Sequence, residues 1–244
     1  MKGLLVRVGA DQSEGGGHWN GLVNSRTGEF VYVPIPETGT IFPQFEKPYS
    51  LVKPALERFG FSLPGYLAGN KMHLDPDFSH LSYGDQGQRA AQISTKLGEG
   101  DLLVFYAGLR DVHPQPRLIY AIIGFYVVDR IEKASSVSPM LHDANAHTRR
   151  ILSPSSTDIV IRAKPAISGR LERCLPIGSF RKPAGQPQKN PSYRVESSLL
   201  ENWGGLSMAD GFLQRSARLP EFNDANRFYD WFSGQRVPLL QTNN

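Results

Sequence analysis

The stretch Gly100-Asp101-Leu102-Leu103-Val104-Phe105-Tyr106 decides the fold of this chain, because a polar start leads into an unbroken apolar run. A second and longer apolar run follows at residues 118–131, after a polar loop with two prolines at residues 110–116. Two such runs separated by a turn-forming segment predict core strands joined as a hairpin. Gly124 lies inside the second run and predicts a bulge or a close approach of two backbones.

Shorter signals surround this hairpin. Strands are predicted at residues 4–9, 30–36 and 159–163, and helices at residues 50–59, 89–97 and 223–232. The 24 Gly and 18 Pro favour turns and short strands over a helical bundle. We therefore predict one α+β domain spanning residues 1–244. Its core is either a mixed, mostly antiparallel β-sheet or a small barrel, with helices at the periphery.

The composition is that of a globular protein, with 40% apolar and 20% charged residues. Cys174 is the only cysteine, which favours a reducing compartment. A lone cysteine can act as a nucleophile, but one in an apolar-flanked stretch more often packs in the core. No stretch approaches the roughly 20 apolar residues that cross a bilayer, and the first residues lack the apolar run of a signal peptide. We predict a cytoplasmic protein with no membrane partner.

The positive charge is concentrated in one segment. Residues 145–195 contain ten basic residues and two acidic ones, whereas the whole chain has a net charge of +4. Such a segment favours phosphate contacts and attracts polyanions, so DNA, RNA or a nucleotide is an expected partner. The alternative is a solvated face whose counter-charges come from elsewhere in the fold.

The cluster His73-Leu74-Asp75-Pro76-Asp77 places three proton carriers or potential ligands at alternate positions. In an extended chain they would project to the same side, about 6–7 Å apart. The cluster therefore fits a metal site, a general acid or base, or a turn in which carboxylates cap backbone N–H groups. We predict His73, Asp75 and Asp77 as catalytic candidates, name no metal ligand, and keep the turn as the alternative.

Two further polar clusters follow along the chain. An arginine shortly after Tyr83-Gly84-Asp85 can bind phosphate through its guanidinium fork, or it can pair with Asp85 or Asp77. The run Asn145-Ala146-His147-Thr148-Arg149-Arg150 combines an imidazole with two arginines, although it also fits the end of a helix on a solvated face. From these clusters we predict a catalytic role for His147 and substrate contacts for Tyr83, Arg89, Arg149 and Arg150.

The end of the first strand is flanked by Arg7 and Asp11. A buried arginine there needs a partner, but strand ends are also where binding sites collect, so both residues are substrate-binding candidates. Tyr106 is a third candidate, because an aromatic ring can stack on a base; Tyr120 and Trp203 offer the same chemistry, although most aromatic residues pack in the core. No phosphate-loop, dinucleotide-binding or zinc motif identifies a cofactor.

The motif at residues 100–106, followed by a long apolar strand, resembles the central hairpin of PUA-like domains, which include ASCH, EVE and YTH modules. That resemblance implies a small β-barrel with a cleft for RNA, a modified base or a nucleotide. A longer series of segments resembles the third nucleotide-modification-associated domain family; these segments are residues 5–11, 30–37, 73–78, 83–85, 100–110, 145–147 and 169–171. This second resemblance implies a role in modification of DNA bases and a shared site lined by the polar residues above, but it implies no particular reaction.

Three functions remain open from the sequence. The first is a protein of nucleic-acid base modification that binds DNA, RNA or a nucleotide in a cleft and can act on the base. The second is an enzyme on a small molecule such as a nucleotide, with His73, Asp75 and Asp77 in acid–base roles. The third is a reader that binds a modified base without chemistry.

Overall fold

The computed structural model describes residues 1–10, 19–114, 117–213 and 218–244. Its strands are Gly3–Arg7 (β1), Leu22–Val23 (β2), Ile35–Pro36 (β3), Met72–His73 (β4), Ser82–Asp85 (β5), Leu102–Asp111 (β6), Leu118–Lys133 (β7), Ile159–Ala163 (β8), Gly169–Pro176 (β9), Gly178–Arg181 (β10), Ser192–Val195 (β11) and Leu239–Leu240 (β12). Its α-helices are Lys53–Glu57 (α1), Gly65–Ala68 (α2), Gly87–Lys96 (α3), Ala146–Arg149 (α4), Ser197–Asn202 (α5) and Ala225–Gln235 (α6). Short 3-10 turns connect several of these elements.

The predicted hairpin is the centre of the fold. β6 and β7 pair antiparallel, from Leu102 opposite Val127 to Arg110 opposite Leu118, so the prediction is confirmed. The register shifts at Phe105, which marks a bulge beside Gly124. A Cβ on Gly124 would lie 2.2 Å from a ring carbon of Phe78, so the glycine also leaves room for this side chain.

The main sheet is mixed and mostly antiparallel. Its described strands follow the order β1-β6-β7-β8-β5, with β2, β9 and β12 joined at the side. β1 and β2 pair parallel with β6, whereas the other pairs in the sheet are antiparallel. β7 is long enough to pair with β9 through one half and with β8 through the other. In the described residues the strands form an open sheet, and the α+β prediction is confirmed.

Both faces of β6 are covered, because alternate side chains enter different apolar clusters. Leu103 and Phe105 pack in a cluster that also contains Phe78 and Tyr83. Leu102, Val104 and Tyr106 face the other cluster, where α6 packs Phe228 and Phe232 near Phe125. A strand buried on both faces explains why residues 102–109 are almost wholly apolar in sequence.

The helices are short and lie around the sheet. α6 confirms the predicted amphipathic helix, and α3 confirms the one predicted at residues 89–97. The longest helix described, α6, has 11 residues. Among the described residues there is no helix with the length and apolar character of a membrane-spanning segment. The cytoplasmic location stays a prediction.

Candidate functional site

A cavity of about 380 Å³ lies between the ends of β1, β4, β5 and α4. Its volume falls within the range of small-molecule sites, about 300–1,000 Å³. Seven of the residues predicted from the sequence line it: His73, Asp75, His147, Arg7, Tyr83, Arg89 and Arg150. A second cavity of similar volume, which contains Arg58, Arg170 and Arg173, includes none of them.

Strand pairing brings these side chains together from distant parts of the chain. β3 pairs with β4, which places His73 opposite Ile35. Asn145 caps the N-terminus of α4, because its side chain accepts a hydrogen bond from the backbone N–H of His147 at 2.9 Å. His147 then lies directly over β5, where a Cβ on Gly84 would be 2.3 Å from its ring. Glycine at position 84 is therefore what lets the His147 ring enter the cavity.

Each histidine is held by a carboxylate on its Nδ1 atom. His73 Nδ1 lies 2.6 Å from Glu37 Oε2, and His147 Nδ1 lies 2.6 Å from Asp158 Oδ2. An ionised carboxylate only accepts hydrogen bonds, so Nδ1 is the donor in both rings. Burial lowers the pKa of His73 to about 4, so this ring is neutral near pH 7 and its Nε2 carries a lone pair.

The two outer carboxylates remain ionised. Burial alone would raise the pKa of Glu37, but hydrogen bonds from His73 and Arg150 outweigh it and lower the pKa to about 2. The pKa of Asp158 is lowered in the same way, because hydrogen bonds from His147 and Ser156 outweigh the effect of burial. Both rings are thus fixed by negative charges on the side away from Asp75.

Asp75 lies beside the Nε2 atoms of both rings. Its Oδ2 atom is 3.6 Å from His147 Nε2 and 4.0 Å from His73 Nε2. Its carboxyl group accepts hydrogen bonds from Gly84 N at 2.9 Å and from Asn145 Nδ2 at 3.0 Å. Burial outweighs these contacts and raises the pKa of Asp75 to about 7. A carboxyl group with this pKa can exchange a proton near neutral pH.

The arginines of the cavity are oriented by specific partners. Arg150 lies 2.8 Å from Glu37 and 3.7 Å from Asp158, so it connects the two carboxylates behind the histidines. Arg89 pairs with Asp85 at 2.9 Å, which is one of the two pairings anticipated for it, and donates to the Tyr83 hydroxyl.

The strand-end arginine is also held in place. Arg7 donates to the Tyr120 hydroxyl at 2.8 Å, and its guanidinium lies over the same ring. With Arg89 and Arg150, this side chain places three guanidinium groups in the cavity lining, two of which pair with carboxylates. The cavity thus combines three guanidinium groups with the cluster of His73, Asp75 and His147.

Asp77 and Arg149 lie outside the cavity lining. β4 ends at His73 and the chain then turns, so residues 73–77 do not continue as an extended strand. Arg149 Nη2 lies 2.6 Å from Asp77 Oδ2, and both side chains are almost fully buried. Asn243 and His80 also contact the Asp77 carboxylate. The turn alternative therefore describes Asp77, whereas His73 and Asp75 meet in the cavity.

The remaining predicted contacts are not brought to this cavity in the described residues. Tyr106 is 1% exposed and packs beside Tyr120, and Trp203 is fully buried. A base has no access to rings at these positions. Asp11 lies outside the described residues.

The basic segment is partly paired with carboxylates from other parts of the chain. Six of its ten basic residues form ion pairs with carboxylates: Arg149, Arg150, Arg162, Lys164, Arg181 and Arg194. Apart from Asp158, the carboxylates that pair with them lie outside residues 145–195. Counter-charges from elsewhere in the fold, which the sequence left as an alternative, are therefore found at these positions.

Glu37 and Asp158 were not among the predicted site residues. Glu37 contacts His73, and Asp158 contacts His147. Neither contact could be predicted, because a single carboxylate carries no local sequence pattern that shows which distant side chain it meets. Asn145 had a recognisable signal, because asparagine before a short helix is a common N-cap. The N-cap pattern does not predict the contact of Asn145 with Asp75, which is distant in sequence.

The chain matches the profile of nucleotide modification associated domain 3 over residues 2–222. No curated protein and no solved structure matches it significantly. The matched range contains the whole cavity, with His73, Asp75, His147 and the outer carboxylates. The chain belongs to the nucleotide modification associated domain 3 family.

Proposed function

We propose that the cavity binds one nucleotide unit, either free or within DNA or RNA, and that His73, Asp75 and His147 act on its base. The observation that carries this proposal is the convergence of these three buried side chains at a concave surface with three arginines. A buried carboxyl group with a raised pKa beside two imidazoles is the kind of arrangement found where protons are exchanged. Family membership supports the nucleotide as the substrate class.

A polar groove next to the cavity supports contact with a sugar–phosphate backbone. The groove shares Thr38, Gln86 and Arg150 with the cavity and continues along residues 151–158. That segment contributes several serine and threonine side chains to the groove, which can donate hydrogen bonds to phosphate oxygens. Arg150 lies where groove and cavity meet, so it can face a phosphate while the base enters the cavity.

Binding is tested with mononucleotides and short single-stranded DNA and RNA, measured by fluorescence anisotropy at several salt concentrations. We expect Arg89→Gln to weaken binding about tenfold or more, because it removes a charge-assisted contact at the cavity. Arg130→Gln is the matched control, because Arg130 is half-exposed near the end of β7 and does not line the cavity. The logarithm of the affinity should fall with the logarithm of salt by about 0.7–0.9 per phosphate contacted. Absence of binding to all of these ligands at low salt contradicts the proposal.

Chemistry on the base is tested by incubating the protein with the ligand that binds and digesting the product to nucleosides for mass spectrometry. A mass change that is lost in His147→Ala supports catalysis in the cavity. If only free nucleotides react, the result favours an enzyme that acts on small molecules over one that acts on nucleic acid. Tight binding with no new product, with all plausible co-reactants supplied, supports the reader instead.

A further inference from the structure

We propose that His73, Asp75 and His147 form a binding site for one divalent first-row transition-metal ion, held by the two Nε2 atoms and Asp75 Oδ2. This inference deepens the proposed function and rests on it for its role, since the ion would lie in the same cavity. The binding of the ion is nevertheless a separate property, which can be measured without a nucleotide.

The first argument is the orientation of three electron-pair donors toward one point. Both Nδ1 atoms donate to outer carboxylates, which leaves each Nε2 to face Asp75. One ligand atom from each of His73, Asp75 and His147 lies within 4.8 Å of the other two. Among the described residues none donates a hydrogen bond to either Nε2 atom. A cation or a proton placed between acceptors that face each other in a buried site stabilises them together.

The second argument is the shell behind the ligands. Metal-binding histidines commonly donate their other ring N–H to a carboxylate, which fixes the ring and increases its basicity. Glu37 does this for His73 and Asp158 does it for His147, each at 2.6 Å. Arg150 pairs with both carboxylates, so the two halves of the outer shell are tied together. A histidine pair supported in this way on both sides is more than a chance cluster of polar groups.

The third argument is the size and chemistry of the site. Metal–ligand bonds of about 2.0–2.2 Å allow ligand atoms up to about 4 Å apart around one ion. The separations of 3.6 Å and 4.0 Å from Asp75 Oδ2 are within this limit. The rings of His73 and His147 lie in contact, edge to face, with centroids 4.9 Å apart. Two imidazoles and one carboxylate suit zinc, iron, cobalt or manganese better than calcium or magnesium.

The site would leave coordination positions free toward the cavity. Three protein ligands with an open position are typical of catalytic metal sites, whereas structural sites are closed by four. An ion held here would face a ligand bound among Arg7, Arg89 and Arg150. It would supply a Lewis acid, or an activated water, at the place where the base of the nucleotide is proposed to bind.

The alternative occupant is a proton on Asp75, shared with a histidine in an acid–base pair. The two alternatives differ in whether the protein binds an added metal ion after a chelator has removed any ion already bound. We therefore test the site with apoprotein prepared by dialysis against EDTA and then against metal-free buffer. Zn²⁺ binding is measured by isothermal titration calorimetry, and Co²⁺ binding is followed by its visible absorption spectrum.

We expect one ion per chain in the wild type and a Co²⁺ spectrum with nitrogen ligation. His147→Ala and Asp75→Asn should abolish the site, and Glu37→Gln should weaken it by about 10–100-fold, because it keeps the ligand but alters its support. His113→Ala is the matched control, since His113 contacts Asn24 and does not line the cavity. Circular dichroism and thermal unfolding confirm that each variant is folded. If the wild type takes up no ion, or if His147→Ala and Asp75→Asn bind as the wild type does, the proposal is overturned and the proton-sharing pair remains.

The same preparations separate this inference from the proposed function. Nucleotide binding is measured with the apoprotein and with the Zn²⁺-loaded protein. A protein that binds Zn²⁺ in the cavity but binds no nucleotide supports the metal site and contradicts the proposed function. A protein that binds nucleotides but no ion supports the proposed function and contradicts the metal site.

Discussion

Replacement of Gly84 by alanine should displace His147 from the cavity. The backbone of Gly84 is outside the positive-φ region, so alanine meets no conformational strain and the effect is purely steric. The added Cβ would lie 2.3 Å from His147 Cδ2 and 2.7 Å from Asn145 Oδ1. Ordinary van der Waals contact begins at 3.4 Å, so the ring must retreat by about 1 Å.

The retreat has few directions in which it can occur. Asn145 caps α4 and holds Asp75, and Asp158 holds His147 from the other side at 2.6 Å. Overpacking of this kind costs about 1–3 kcal/mol in the free energy of unfolding. For a chain of this size, each kcal/mol lowers Tm by about 2–4 °C, which gives an expected loss of about 2–12 °C. A shift of about 1 Å also removes His147 Nε2 from its position opposite Asp75.

The assay combines thermal unfolding with NMR of the histidine side chains, in which the proton between His147 Nδ1 and Asp158 is followed. Gly98→Ala is the control, because its added Cβ would meet no heavy atom within 4 Å and its backbone also lies outside the positive-φ region. We expect Gly84→Ala to lower Tm, to shift the His147 signals and to impair Zn²⁺ binding, whereas Gly98→Ala changes none of these. A Gly84→Ala protein with wild-type Tm and wild-type His147 signals refutes the reasoning.

Three further predictions follow from other parts of the structure. Arg149→Met leaves the charge of Asp77 buried without its closest partner, so chemical denaturation should show a loss of about 3–5 kcal/mol, and a loss below 1 kcal/mol contradicts this role. Cys174 is buried and its pKa is raised to about 12, so the native protein should react slowly with thiol reagents at pH 8 and rapidly once unfolded; fast labelling of the native state contradicts the structure. Arg181 lowers the pKa of Asp210, so the stability that this carboxylate supplies is complete above the usual carboxyl range and is lost as the pH falls through the lowered value. Asp210→Asn should therefore destabilise the protein at pH 7 and much less at pH 3, and an equal effect at both pH values counts against the ion pair.

The hairpin of β6 and β7 was predictable because a strand that is buried on both faces has a continuous apolar run in its sequence. α6 was predictable for a similar reason, since its apolar residues recur with the helical period. Such patterns depend only on neighbours in sequence. The length of β7 and its division between β8 and β9 have no such local pattern, because they depend on where other strands pair.

For the site, the cluster at residues 73–77 is visible in the sequence, but the structure separates its members. His73 and Asp75 meet in the cavity, whereas Asp77 turns to Arg149. Alternate positions share one side only while the chain stays extended, and β4 ends at His73. The charge of residues 145–195 was likewise visible, but its neutralisation was not, because the partner carboxylates lie elsewhere in the chain.

The sequence by itself determined the central hairpin, the α+β class and the presence of imidazoles and carboxylates able to exchange protons or bind a ligand. Only the tertiary structure decided which of them meet. Asp75 and His147 face each other across 72 positions of sequence, with Asp158 behind one ring and Glu37 behind the other. Periodicity reports the burial of one element, whereas a site is made by strand pairing and close packing between elements, such as the contact of His147 with Gly84.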